Sequence, residues 1–354
     1  MNRSLLLSLA LLTFAACGKK DPASAPAAST APAASDSAAP AEPATLDANV
    51  AAPTPEPEPP PAPTRKGFVA WAMNPDGELE TALFLEGESS PLATKANTVV
   101  VAVGDQAFRL DRELSTMPLK PCDEDGQAGF VALAVTGVEP TYPKKVFELR
   151  DKKLRPEPNT SAIHVEKLDF VTQVGPYLLL RHETNADSCP VPAGGLVYDS
   201  WKVLDLSEAS SDKAPVLRDP RFIFEEAELI AMETKAKADG KVAIKKDYPD
   251  AEDAELERAL KLYEPIFAWS DEGQLNGTAI IEGESTAFSD IVDEEGAASV
   301  RVPLEAPAGR LKALATTPPA AVIAFWKQHR AEGRGYSPVS GQAFETLALW
   351  LGSK

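Results

Sequence analysis

The chain reads as an α+β protein: a β-rich N-terminal half of antiparallel strands, and a C-terminal half with about three helices plus further hairpins. Three observations carry that reading. From Gly67 to about Leu206, short segments rich in Val, Phe and Leu recur between Pro, Gly and Asp. From Asp219 onward the apolar spacing lengthens toward three and four residues. Before Lys66 the chain is mostly Ala, Pro, Ser, Thr and acidic residues, and holds almost nothing that could be buried after its first apolar run. The resulting boundaries are an export signal over 1–16, a disordered tether over 17–65, a β-rich domain over 66–213 and an α+β domain over 214–354.

Arg3 gives the opening a positive charge, and Leu5 to Ala16 form an apolar run of about 12 residues. That run is too short to cross roughly 30 Å of hydrocarbon as a helix, so it predicts a secretory signal. The segment Phe14-Ala-Ala-Cys17 places two small residues before a cysteine. It resembles the lipobox of bacterial lipoproteins, with Phe14 where that class usually carries an aliphatic residue. The resemblance covers residues 1–17 and implies that Cys17 is acylated, palmitate included, and becomes the first mature residue. Gly18 follows, not the aspartate that retains such proteins at the inner membrane in enteric bacteria, so the resemblance favours the outer membrane. From Gly18 to Arg65 the proline density favours extended polyproline II, at about 3.1 Å per residue, so this tether reaches roughly 150 Å at most.

In the β-rich half the segments GFVAWAM, LETALFL, NTVVVAVG, GFVALAVTGV, KVFELR, PYLLLRHE and WKVLDL predict strands in that order. Beyond them, Asp219-Pro220 opens a predicted helix that closes at Gly240, with Ile223, Ala227, Ile230 and Ala231 on one face. A second helix is expected over DAEDAELERALKLYEP, grouping Leu256, Leu260 and Tyr263. A third is expected over TPPAAVIAFWKQHRAEG, opening at Thr317. One internal echo crosses the halves. AWAMNPDGELETALFLEGES and AWSDEGQLNGTAIIEGES both run from Trp through a glycine turn and a strand into Glu-Gly-Glu-Ser. Each predicts a hairpin with Gly77 or Gly273 at the positive-φ position, and together they suggest an internal duplication. The two glycines are 196 positions apart with helices between, which excludes a propeller.

With Cys17 assigned, Cys122 and Cys189 remain in turn-rich segments of an exported chain, which predicts a disulfide between them. Its 67-position loop would contribute about 4 kcal/mol in the chain-entropy view. A Cys189–His182 nucleophile ranks below it, because a low-pKa thiol oxidises after export.

Three histidines bound the base and metal chemistry. His164 and Glu166 alternate with Ile163 and Val165, which places them on the outer, solvated face of a strand; two such ligands can bind zinc, but no third or fourth is visible in the sequence. His182 falls on the face of Leu178 and Leu180, at the rim of the core, and is the best single candidate for a functional histidine. His329 suits the C-terminal end of the third helix. Gly335-Tyr-Ser-Pro-Val339 departs from the G-x-S-x-G nucleophile elbow at its last position and has no strand before it. The surrounding stretch HRAEGRGYSPVSGQAF is basic, glycine-rich and aromatic, which makes Arg334 and Tyr336 candidate binding residues. Most tryptophans sit at core positions of their elements. No catalytic set, metal set or cofactor motif is predicted.

A formal charge of -18 with no basic run argues against nucleic acid as a partner. The same acidity repels anionic lipid headgroups, so membrane attachment requires a covalent anchor or an inserted helix. The expectation is a lipid-anchored protein of the bacterial envelope, periplasmic or surface-facing, that binds or scaffolds another envelope protein or a glycan. The alternatives are an exported hydrolase or carbohydrate-active enzyme built on Asp and Glu, and a small-molecule sensor.

Overall fold

Strand β1 (Lys66–Met73) alternates Val69, Trp71 and Met73 with Ala70 and Ala72, all of them buried, as expected of a strand covered on both faces. It lies in a computed structural model that describes residues 65–118, 127–139, 141–149, 161–188, 196–247, 249–250, 252–253, 256, 260–283, 300–303 and 309–352. These fall within one compact unit, Pro61–Lys354. The protein is a mixed α/β fold dominated by strands.

The strands that follow are β2 (Leu79–Leu85), β3 (Ala93–Ala96), β4 (Val99–Val103), β5 (Gln106–Pro118), β6 (Gln127–Gly137), β7 (Lys145–Glu148), β8 (Ser161–Val174), β9 (Tyr177–Ser188), β10 (Leu196–Asp205) and β11 (Val216–Arg218). Then come a 3-10 turn (Pro220–Ile223), α1 (Glu226–Asp247), β12 (Leu260–Trp269), β13 (Leu275–Gly283), β14 (Val300–Pro303), α2 (Gly309–Leu314), α3 (Ala320–Gln328), β15 (Gly333–Ser340) and α4 (Gly341–Leu351). Twelve strands share one sheet. Its main path runs β11-β10-β9-β8-β15-β1-β2-β3, and a second branch, β4-β5-β6 with β7 on the other side of β6, joins at β8. Strand β15, from the stretch expected to form the second domain, sits between β8 and β1. Strands β12, β13 and β14 form a separate antiparallel sheet.

The sheet forks at β8. Strand β6 pairs with it in parallel at His164 and Val165, and β15 pairs with it in parallel at Thr172. The two branches fold face to face over one core: Trp71, Met73 and Leu79 meet Val99, Phe108, Leu110, Val131 and Leu133, with Leu168 and Phe170 at the join. The same face continues to α4, where Phe344 and Leu347 cover Val69, Leu83 and Val100. On the opposite face, Ala70, Ala82, Phe84, Trp201 and Val203 pack beneath Ile223, Met232, Ile266, Trp269 and Trp326. Bulky residues from the outer layer thus fit over alanines in β1 and β2, keeping the two faces filled without spreading the strands.

Both echoed hairpins form with the same turn. Gly77 N–H donates to Asn74 O and Asn74 N–H to Glu78 O; Gly273 N–H donates to Ser270 O and Ser270 N–H to Gln274 O. Gly77 has φ of 78° and Gly273 of 75°, the left-handed region that a side chain disfavours.

The helices depart from the periodic reading. Ile223 ends the 3-10 turn, and the helix after it buries Met232 and Gly240 while Ala227, Ile230 and Ala231 face solvent, Ile230 at 60% exposure. It runs through the buried Gly240 to Asp247, because packing of the helix on β12 and β13 outweighs the low helix propensity of one glycine. Leu260 and Tyr263 belong to β12, whose pairing with β13 overrides the helical spacing of that segment. Helix α3 forms as expected, opening at Pro319 and not Thr317. Helix α4 was not anticipated.

Strand β15 passes so close to its neighbours that side chains do not fit: a Cβ at Gly333 would lie 2.0 Å from Phe170 O, and one at Gly335 would lie 2.3 Å from Trp71 Nε1 and 2.6 Å from Gln173 Cβ. Gly335→Ala is expected to destabilise the protein by roughly 1–3 kcal/mol or more, since the Trp71 indole and Gln173 must both shift. A lower urea midpoint at unchanged slope would show it; an unchanged midpoint would contradict the packing described.

Candidate functional site

Between the two ladders on its forked edge, β8 meets side chains. Glu166, 5% exposed, accepts a hydrogen bond from Val131 N at 3.0 Å, so its carboxylate holds β6 to β8 just beyond their paired residues. Arg112 of β5 reaches Leu168 O at 3.4 Å and Gly77 O at 2.6 Å, joining the fork to the β1–β2 turn. Burial lowers the Arg112 pKa, with Asp169 acting in the opposite sense.

The register pairs Leu168 with His182 and Glu166 with Thr184 across β8 and β9. His182, 3% exposed, brings Nε2 to 3.4 Å from Glu166 Oε2. This is close enough to count as an ion-pair distance, but Nε2 has no aligned hydrogen-bond partner. The expectation that His182 lies with Leu178 and Leu180 holds, and all three are buried. The expectation for Glu166 reverses: Glu166 is buried and Val165 is 49% exposed. Alternation was read in the wrong phase because the core face here includes a carboxylate bonded to a neighbouring strand. The His164 side chain lies outside the described residues.

On the other face of β8–β10 an arginine gathers acids. Arg181 bonds Asp199 Oδ2 through Nε at 3.1 Å and Nη2 at 2.8 Å, meets Glu183 at 3.0 Å and lies 3.8 Å from Asp169. Desolvation lowers its pKa, but the carboxylates outweigh that and the net shift is upward. These acids therefore surround a permanent cation. A two-acid hydrolase calls for a carboxyl held protonated. Among the described residues, the carboxyls whose pKa clearly departs from its ordinary value, Asp205 and Asp253, both move down. For Asp205, burial opposes the shift, and the Ser207 and Arg218 hydrogen bonds prevail; for Asp253, Lys245 supplies it.

Arg334 and Tyr336 occupy β15. Arg334 donates to Ala331 O at 2.7 Å and Trp269 O at 3.1 Å, and pairs with Asp271, so it clamps the β12–β13 turn onto the main sheet. The Tyr336 ring lies 5.8 Å from Trp269 and 6.2 Å from Trp326, and its hydroxyl meets Thr316. Gln173 links the group. Its Oε1 accepts from Trp71 Nε1 at 2.8 Å, its Nε2 lies within 3.2 Å of Ser337 Oγ, Gly175 O and Tyr336 O, and its backbone carbonyl accepts from Trp269 Nε1 at 2.8 Å. The stretch singled out for binding is thus a central strand and its aromatic seam. Gln173 itself carried no signal in sequence, since a glutamine in an apolar strand reads as a break in alternation.

His329 caps α3, stacks on Phe325 and brings Nδ1 to 3.5 Å from Glu80 Oε2. Trp71, Trp201, Trp269 and Trp326 are buried, as their positions predict, whereas Trp350 is half-buried against the α4 core with Lys95 over its ring. Cys17, Cys122 and Cys189 lie outside the described residues. Among the described residues no group of three or more His, Cys, Asp or Glu side chains is arranged for a metal. No helix there is long and apolar enough to cross a membrane. Comparison with the models of known protein families finds no match, and comparison with curated proteins finds none either.

Two tests follow from the Gln173 seam. Gln173→Ala leaves the Trp71 indole N–H without its partner and the Ser337 hydroxyl with only its bond from Ala102 N, with an expected cost of roughly 1–3 kcal/mol in thermal or chemical melting. Burial raises the Tyr336 pKa, only partly offset by Thr316. The unfolded phenol ionises near pH 10 while the folded one keeps its proton, so stability is complete below pH 10 and falls as pH rises toward the folded value. Tyr336→Phe should flatten that alkaline limb; an unchanged slope of stability against pH between 9.5 and 11, a window set by the free phenol value of about 10, would contradict the assignment.

Proposed function

We propose that the protein is a lipid-anchored component of the bacterial cell envelope whose folded body binds another envelope component. The observation that carries this reading is the order of segments: a short apolar signal ending at Phe14-Ala-Ala-Cys17, a long Ala- and Pro-rich stretch, then the folded unit. The anchor is assigned to Cys17 and the location to the outer membrane by the resemblance to the lipobox class. Binding is supported by an exposed apolar area on the second branch of the sheet. There Leu114, 76% exposed, and Val146 border a hollow of about 460 Å³ with Phe130.

The disulfide between Cys122 and Cys189 belongs to the same proposal. Cys122 falls between the β5 and β6 ends Pro118 and Gln127, and Cys189 directly follows Ser188 of β9. Strand β8 alone separates β6 from β9, pairing Ala128 with His164 and His164 with Ala186. Two strand spacings are roughly 10 Å, so the flanking ends start near enough for two turns to meet. We also read the β1–β2 and β12–β13 hairpins as copies from a duplication, supported by their shared turn bonds and positive-φ glycines.

Cys17→Ala is the direct test. The wild-type protein should fractionate with membranes and carry acyl mass on Cys17, and the variant should become soluble. An unmodified Cys17 in membrane-derived protein would overturn the anchor. Non-reducing peptide mapping should recover Cys122 joined to Cys189; finding both as free thiols in protein isolated from the envelope would overturn the pairing.

A further inference from the structure

Strand β7 is an edge of the main sheet. Among the described residues it pairs with β6 on one side and with no strand on the other, so its outer row of backbone N–H and C=O groups has no ladder there. Residues along this edge alternate. Lys144, directly before the strand, Val146 and Glu148 are exposed, Val146 at 51%, while Lys145 and Phe147 are half-buried. The exposed row thus carries a cation two positions before an apolar residue and an anion two positions after it. Directly opposed residues of an antiparallel pair share a face of the sheet. If two copies of this strand pair about Val146, the two valines meet on the axis, and each Lys144 stands opposite Glu148 of the second copy. Read backwards, Glu-x-Val-x-Lys is the complement of Lys-x-Val-x-Glu, so the chain carries the match to its own edge.

We propose that two copies of the chain associate through β7, pairing antiparallel about Val146 so that the sheet of one copy continues into the other. Such an interface is self-complementary and uses the same edge of both copies, so association closes at a dimer. Lys144 already pairs with Glu113 of β5, and in the dimer its ammonium lies between two carboxylates. The edge strand β11 also exposes a valine, Val216, but pairing about it would set Ala214 against Arg218, which Asp205 already holds. Only β7 of these two edges offers opposite charges to its own copy. The proposal rests on the reading that the exposed area around Val146 is a binding face, and takes a second copy as the occupant of that face. It does not depend on the anchor at Cys17.

The test places a photoreactive benzophenone amino acid at position 146 of the full chain in cells, where its side chain stands off the sheet face and leaves the backbone edge clear. Irradiation should join two copies of the chain, with the crosslink mapping to residues 144–148 of the second copy. Crosslinking to a different protein alone overturns the dimer and leaves the binding face standing; no crosslink at all overturns both. Charge exchange then checks the register on the purified full chain by sedimentation equilibrium. Glu148→Lys sets lysine against lysine and should raise the dimer Kd by roughly 10-fold or more. Adding Lys144→Glu should bring the Kd back toward the wild-type value, and Glu88→Lys, the same charge change in the β2–β3 turn, should leave it unchanged. A dimer indifferent to Glu148→Lys, or one that the second substitution does not restore, overturns the pairing about Val146. If either charge variant fails to fold by circular dichroism, the photocrosslink from the otherwise unaltered chain decides.

Discussion

The side-chain amide of Gln173 is the constraint around which the body is arranged. It is buried, so each of its polar atoms needs a partner inside the protein, and the partners come from different parts of the chain: Trp71 on β1, Ser337 and Tyr336 on β15, and Gly175 on the β8–β9 turn. The neighbouring carbonyl then fixes Trp269 of the small sheet. An apolar residue at this position would fill space equally well but would not specify which strand lies beside β8. The amide does, because each misplacement strands a buried donor or acceptor at about 1–3 kcal/mol. The parallel ladder between β8 and β15, a single residue pair long, is held largely by these side-chain bonds.

That seam explains the fork. For Gln173 to reach across β15, the strand must approach closely, and Gly333 and Gly335 permit it. The branch carrying β6 cannot then share the same length of β8, and pairs instead at the other end, at His164 and Val165. The intervening edge is met by the Glu166 carboxylate from within β8 and by the Arg112 guanidinium from β5. A half-buried arginine bonded to two carbonyls, Leu168 O and Gly77 O, loses hydration, which is why its pKa falls. The apolar core between the branches depends on those two charged side chains closing its open side.

The strands were legible where the sequence presented Val, Phe and Leu in short runs: β1, β2, β4, β6, β9 and β10 all fall where the pattern placed them. Hairpin chemistry was legible too, since positive-φ turns leave glycine as their mark at 77 and 273. The rest failed for physical reasons. Strand β5, which alternates Phe108 and Leu110 with Arg109 and Asp111, is not among the strands the sequence predicted, because its polar residues break the Val-, Phe- and Leu-rich runs. Strand β15 needs glycine for close approach, and glycine, arginine and tyrosine together resemble a binding loop. The last third of the second expected helix has helical spacing but pairs as β12, because the energy comes from its ladder with β13, the next strand across the hairpin turn. At the candidate site, sequence identified His182 but placed Glu166 on the wrong face. The two residues are sixteen positions apart, and only strand register brings them together.

Strand directions also order the two ends of the body. The chain enters β1 at Lys66, opposite Ser340, at the end toward which β8 runs. The segments flanking Cys122 and Cys189 leave from the end where β8 begins, beside Gln127 and Ser188. The fork, with Glu166 and His182, lies nearer that second end, and the exposed Leu114 lies on the same distal part of β5. Features without a role in the aromatic seam therefore concentrate away from the point of chain entry. At the seam β8 and β15 meet through one ladder pair at Thr172, close glycine contacts and the Gln173 bonds, whereas toward the far end the β5–β6 and β8–β9 ladders run on to Pro118–Gln127 and Ser161–Ser188. Such ends tolerate exposed apolar side chains and buried ionisable pairs that the seam would exclude, which makes them the place where recognition can be added without altering the fold.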